Sequence, residues 1–132
     1  MTTSLKIKSL LGSAVFAAAT LASAQQTVPI FGLVELSGTG ATSGSNFDNG
    51  IKLAVKEINA AGGILGRKIN YESMDTQSNP GVAKALAQKA IDQNAYGVMG
   101  PVFSGSIMVS MAETKRAEIP NFKGGEAAAI TQ

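Results

Sequence analysis

Apolar positions along the 132-residue chain fall into two alternating patterns, short continuous runs and longer stretches at helical spacing. Residues 28–34, "VPIFGLV", are a run of the kind that suits a strand covered on both faces. From Ser45 to Ala60, Phe47, Ile51, Leu53, Ala54, Val55 and Ile58 recur at helical spacing, with Lys52, Lys56 and Asn59 on the other side. Ser45 followed three residues later by Asp48 predicts the helix start, and Gly62 with Gly63 predicts its stop.

The same grammar then repeats. Residues 67–75 alternate Ile69, Tyr71 and Ser73 against Lys68, Asn70 and Glu72, as a strand at a sheet edge does. Residues 78–94 predict a helix with Asn79 as cap, Pro80 at the first position, and Val82, Leu86, Ala87, Ala90 and Ile91 along one face. "AYGVMG" predicts a third strand ending at Gly100. A helix follows from Ser104, with Ile107, Met108 and Met111 as core filling and Lys115 and Arg116 at the end that suits cations. "IPNF", residues 119–122, is the fourth strand, and "KGGEAAAITQ" opens a further loop or helix. Strands alternating with helices predict an α/β fold, a doubly wound parallel sheet. Ligands in such sheets sit at the carboxyl ends of the strands beside a topological switch point, here loops 35–44, 75–79, 100–106 and 123–127.

The first residues change the compartment. Lys6 and Lys8, the apolar stretch Leu10 to Leu21, and Ala22, Ser23 and Ala24 read as a secretory signal peptide over residues 1–24, cleaved after Ala24. Its apolar core is shorter than the roughly 20 residues a membrane-spanning helix needs. No cysteine follows it, so a lipid anchor is not expected, and the mature segment 25–132 belongs in an exported, periplasmic compartment. Removing the signal removes Lys6 and Lys8 and hence the net charge of +2, because the remaining nine Lys and Arg balance nine Asp and Glu. A neutral, aromatic-poor segment has no electrostatic footprint for nucleic acid. With no Cys and no His anywhere, His-based metal sites, zinc clusters and Ser-His or Cys-His nucleophiles are impossible within it. Most hydrolase and metalloenzyme readings therefore fall.

Gly38, Gly40 and Gly44 follow the first strand at a spacing close to the dinucleotide fingerprint, with Asp75 as the acidic residue that fingerprint wants. The same turn also suits the rim of a cleft for another small molecule, with Thr42 and Ser43 reaching in. Asp75 and Asn79 are expected to hold the turn before the second helix, and Gly62, Gly63 and Gly66 to reverse the chain. Ser104 lies where a strand meets a helix, so its hydroxyl and the amides of Gly105 and Ser106 form a local anion site that suits a carboxylate. The hydroxyl can equally cap the helix, and both roles can coexist.

Taken in order, Ser37 and Gly38, Gly44, Gly50, "INAAGGILGRKI", Asp75 with "SNP", and "GPVFSG" resemble the first lobe of periplasmic substrate-binding proteins. The resemblance is to those that serve ABC transporters of branched-chain amino acids, the leucine/isoleucine/valine-binding type with the type I periplasmic binding fold. It covers nearly all of the mature segment and implies an incomplete first lobe, with more βα units and a second lobe beyond it. It further implies a solute receptor, not an enzyme and without cofactor or metal, for an amino acid or related organic acid; such a receptor partners a membrane permease, closes by a hinge and is a monomer when complete. Ser104, which follows "GP" after two further residues, takes the place of the serine that contacts the ligand carboxylate in that family. Where amino-acid binders carry Ser-Pro and then Thr, this chain has Lys123, Gly124, Gly125, Glu126 and Ala127. The Thr hydroxyl is thus replaced by Ala127, backbone groups of Gly125 and Ala127 remain, and Glu126 can pair with an ammonium or turn outward. Ser43 stands where the family often has a bulky side chain, which leaves room for a larger ligand. A dinucleotide-dependent oxidoreductase domain and an extracellular sensing module of the same fold are the alternatives.

Overall fold

A computed structural model describes residues 26–131, and the signal segment 1–24 lies outside them. The order is β1 (Val28–Val34), α1 (Ala41–Ala60), β2 (Ile69–Asp75), α2 (Pro80–Asp92), β3 (Gly97–Met99), α3 (Ser104–Arg116), β4 (Asn121–Phe122), and a 3-10 turn at Ala128–Ile130. All strand pairs are parallel, in the sheet order β2-β1-β3-β4. β1 is central and β2 is an edge, with Val28 opposite Ile69 and Val34 opposite Asp75. On the other side of β1, Ile30 lies opposite Gly97 and Gly32 opposite Met99. The chain winds one way from β1 to β2 and the other way from β1 to β3. The switch point therefore falls between the carboxyl ends of β1 and β3.

Alternation along β1 divides the apolar residues between two faces. Phe31 and Leu33 join Met74, Val98, Ala87, Ala90, Ala95, Leu86 and Ile119 in a core on the side of α2 and α3. Ile30 faces the other way and lines an apolar cavity with Ile51, Ala54, Val55 and Ile58 of α1. A second link on that face is polar. The Asp48 carboxylate of α1 is buried and accepts from Tyr71 Oη at 2.8 Å and Ser73 Oγ at 2.6 Å on β2, while Lys52 Nζ lies 2.6 Å from its other oxygen. Burial alone raises the Asp48 carboxyl, but the bonds from Lys52, Ser73 and Tyr71 outweigh it and hold the group below its usual range. Tyr71 is pushed up, first by burial and then by its bond to Asp48. Gly32 makes this possible, because a Cβ there would overlap the Tyr71 hydroxyl that lies across β1.

Asn79 caps α2, its Oδ1 accepting from the amides of Gly81 (2.8 Å) and Val82 (3.2 Å), with Pro80 at the first position. The buried face of α2 is built from alanines, Ala83, Ala87 and Ala90, and α3 packs on it. α3 buries Ser106, Ile107, Ser110, Glu113 and Thr114. Small residues let the two backbones approach. The hydroxyls of Ser110 and Thr114 return to carbonyls of their own helix, so their burial leaves no donor unmet.

Four expectations need correction. α1 starts at Ala41, four residues before Ser45, because the first turn packs on the end of β1 and Asp48 points at β2 instead of back at the helix start. Ser104 is the first helical residue of α3, not its cap; that position is Phe103, with no side-chain capping bond. Met108 is exposed, since the helix turns its Ser and Thr residues inward. The fourth strand is only Asn121–Phe122, and Phe122 stands exposed on the edge.

Candidate functional site

β1 ends in Val34 and is followed at once by Glu35, a fully buried carboxylate at the switch point. Its two oxygens accept from the amides of Val102 (3.1 Å) and Phe103 (3.2 Å), which lie between β3 and α3. The glycines of the first loop fit around this link. A Cβ on Gly44 would overlap the Glu35 backbone, and one on Gly40 would press on the Phe103 ring and the Glu35 Cβ. Gly38 has a φ of 78°, in the left-handed region that favours glycine.

Asp75 closes the other side of that loop. It accepts from the amides of Leu36 (2.9 Å), Ser37 (3.1 Å) and Gln77 (2.8 Å) and from Ser37 Oγ (2.6 Å). Burial works to raise its carboxyl, but the Ser37 hydroxyl and the three amides together hold it below the usual range. Gln77 and Ser78 sit at positive φ, a conformation worth roughly 1–3 kcal/mol of strain per residue that neighbouring structure must hold in place. Ser78 Oγ supplies part of that, donating to Ser37 O and accepting from Gly40 N. The glycine spacing thus serves close packing, and the Asp75 carboxylate is engaged by its own loop instead of being free for a ribose.

A cavity of about 330 Å³ opens beside this junction, lined by Val102, Phe103, Ser104, Gly105, Gly124 and Glu126. Of the predicted site residues it brings together Ser104, Gly105 and Glu126. Ser104 Oγ accepts from the amide of Ala127 at 3.3 Å, which ties the last loop to α3 and leaves the hydroxyl proton free to be donated. Gly125 lies behind the lining, where a Cβ would overlap Ile107 and Ile130. Ser106 is buried, its hydroxyl without a partner, and does not line the cavity. Ser43 is exposed on the first turn of α1 and does not line it either. The first-turn amides of α3 have no acceptor within the helix, so this end favours an anion. No Lys or Arg lines the cavity. Among the described residues no group of His, Cys, Asp and Glu could hold a metal. None of the described helices is long and apolar enough to cross a membrane.

Glu35 was the residue that pattern reading passed over. Its signal was an acidic residue directly continuing a seven-residue strand run, where a solvated charge is the ordinary expectation.

A family model described as Periplasmic binding protein matches residues 12–131. The chain belongs to this family. Among its relatives, a Leu/Ile/Val-binding protein, BraC3, of Rhizobium johnstonii is 38% identical over 87 residues, 66% of this chain and 23% of the relative. The substrate-binding protein BasB of a chemotactic signal transduction system in Halobacterium salinarum is 37% identical over 97 residues, 71% of this chain and 23% of that one. Among solved structures, the branched-chain amino acid transporter substrate-binding protein LivJ of Streptococcus pneumoniae, in complex with isoleucine, superposes with a TM-score of 0.78. It is 30% identical, over 80% of this chain and 31% of LivJ. The chain thus spans about a quarter of the length of the curated relatives it matches. Periplasmic binding proteins and the matched relatives bind substrates and are not enzymes, so the oxidoreductase alternative falls. The expected α/β lobe with its parallel sheet is the observed one.

Proposed function

We propose that this periplasmic binding protein chain is part of the first lobe of an extracytoplasmic solute receptor for a small carboxylate-bearing molecule, an amino acid or a related organic acid. The observation that carries the reading is the cavity at the start of α3, where the Ser104 hydroxyl and an anion-favouring helix end meet Glu126 and no cation. The ligand carboxylate would take the Ser104 proton and the amides of Gly105 and Ser106. Glu126, with backbone groups of Gly125 and Ala127, would receive an ammonium. Ser43, exposed on the first turn of α1 outside the cavity lining, would leave space for the rest of the ligand. Residues 1–24 would direct export to the periplasm, and a second lobe would close over the ligand by a hinge and present it to an ABC transporter permease. The complete receptor would act as a monomer, with neither cofactor nor nucleic acid. The likeness to BraC3 and LivJ supports the ligand class; the likeness to BasB favours a second reading, in which the same capture reports to a sensory pathway.

Calorimetric titration of the full-length protein with L-leucine, its des-amino analogue isocaproate, and L-leucinamide tests the site. A carboxylate ligand is expected to bind and leucinamide to fail. Binding of leucinamide as tight as that of leucine would sink the carboxylate assignment. Loss of leucine uptake in a deletion strain would favour transport, and loss of chemotaxis with uptake intact would favour sensing.

A further inference from the structure

Glu35 is fully buried, and no Lys or Arg pairs with it among the described residues. A buried carboxylate without a cation persists only where its oxygens are well bonded, and each Glu35 oxygen has one backbone amide, Val102 or Phe103. Those residues line the cavity and immediately precede Ser104. Gly44 and Gly40 pack closely on the Glu35 backbone and Cβ, where an added Cβ would press on them. β1 therefore holds, through one carboxylate, the two amides that set where α3 begins. We infer that Glu35 is a positioning residue for ligand binding, acting through the loop that carries Ser104; the inference rests on the proposed carboxylate site.

The reasoning separates position from charge. Glu35→Gln keeps the shape, but only one of its terminal atoms accepts, so one of the two amides loses its partner and faces a donor. A charge effect alone would go the other way, because removing a negative group near a bound carboxylate tightens binding. Two measurements on the full-length protein test this. Amide exchange at Val102 and Phe103 in the ligand-free protein is expected to quicken about tenfold in Glu35→Gln, reporting local opening. Calorimetry with L-leucine and isocaproate is expected to show binding about tenfold weaker, or roughly 1.4 kcal/mol. In the double variant Glu35→Gln, Ser104→Ala the loss should be smaller than the two single losses combined, since a displaced Ser104 has less to lose. Unchanged exchange overturns the clamp. Unchanged or tighter binding, or strictly additive losses, overturns the positioning role while the site stands. If the unaltered protein binds neither probe, the site reading itself fails and the role of Glu35 falls with it. Should Glu35→Gln fail to fold, Glu35→Asp, which keeps the charge and shortens the reach, is read by the same two measurements and the same outcomes.

Discussion

Replacing Ser104 by Ala removes two interactions of different size. The first is internal: Ser104 Oγ accepts from the amide of Ala127 at 3.3 Å, a long bond in a partly buried place. A neutral hydrogen bond contributes about 0.5–1.5 kcal/mol net, and one near the distance limit belongs at the lower end. The second exists only with ligand present. The hydroxyl proton is uncommitted, and donating it to a carboxylate is worth roughly 1.5–3 kcal/mol, the range for a bond to a charged group. Ser104→Ala is therefore expected to weaken L-leucine and isocaproate about 10- to 150-fold and to lower the unfolding free energy by less than about 1 kcal/mol. Calorimetry and urea unfolding of the same full-length samples measure both. An affinity within twofold of the parent, together with a clear loss of stability, would reduce Ser104 to a tether for the last loop and refute the argument.

Glu126→Gln is expected to weaken L-leucine several-fold and leave isocaproate unchanged, because only the amino acid has an ammonium for the carboxylate; equal loss for both would turn the side chain outward. Asp48→Asn should lower stability by about 1–3 kcal/mol at neutral pH, since it weakens the bonds from Tyr71 and Ser73 and removes the Lys52 pair. Asp48 and Asp75 are both held below their unfolded values, so their stabilisation is complete above about pH 4 and is lost as pH falls through the folded values. The Asn variant should lose less on acidification than the parent in urea titrations at pH 7 and pH 3, and parallel losses would refute the network. Gly44→Ala should cost about 1–3 kcal/mol of stability, because its Cβ would overlap the Glu35 backbone. Unfolding at an unchanged urea midpoint would show that α1 can shift away.

Periodicity alone determined the order of elements, the central β1, the edge position of β2 and the Asn79-Pro80 start of α2, because each depends on residues close in sequence. The face of β2 that carries Ile69, Tyr71 and Ser73 was also legible, since strand alternation is a local property. What those side chains meet was not: Tyr71 reaches Asp48 on α1, 23 residues away in sequence, and only the glycine at position 32 clears its path. The start of α1 was misplaced for the same reason. Ser45 and Asp48 carry a local capping signal, but the approach of Gly44 to Glu35 extends the helix and turns Asp48 inward. At the site, sequence marked Ser104, Gly105 and Glu126, which the fold brings to one cavity, and missed Glu35. A carboxylate's worth at a switch point lies in amides 67 and 68 residues further along the chain, and a parallel sheet brings them into reach only once β3 has paired with β1.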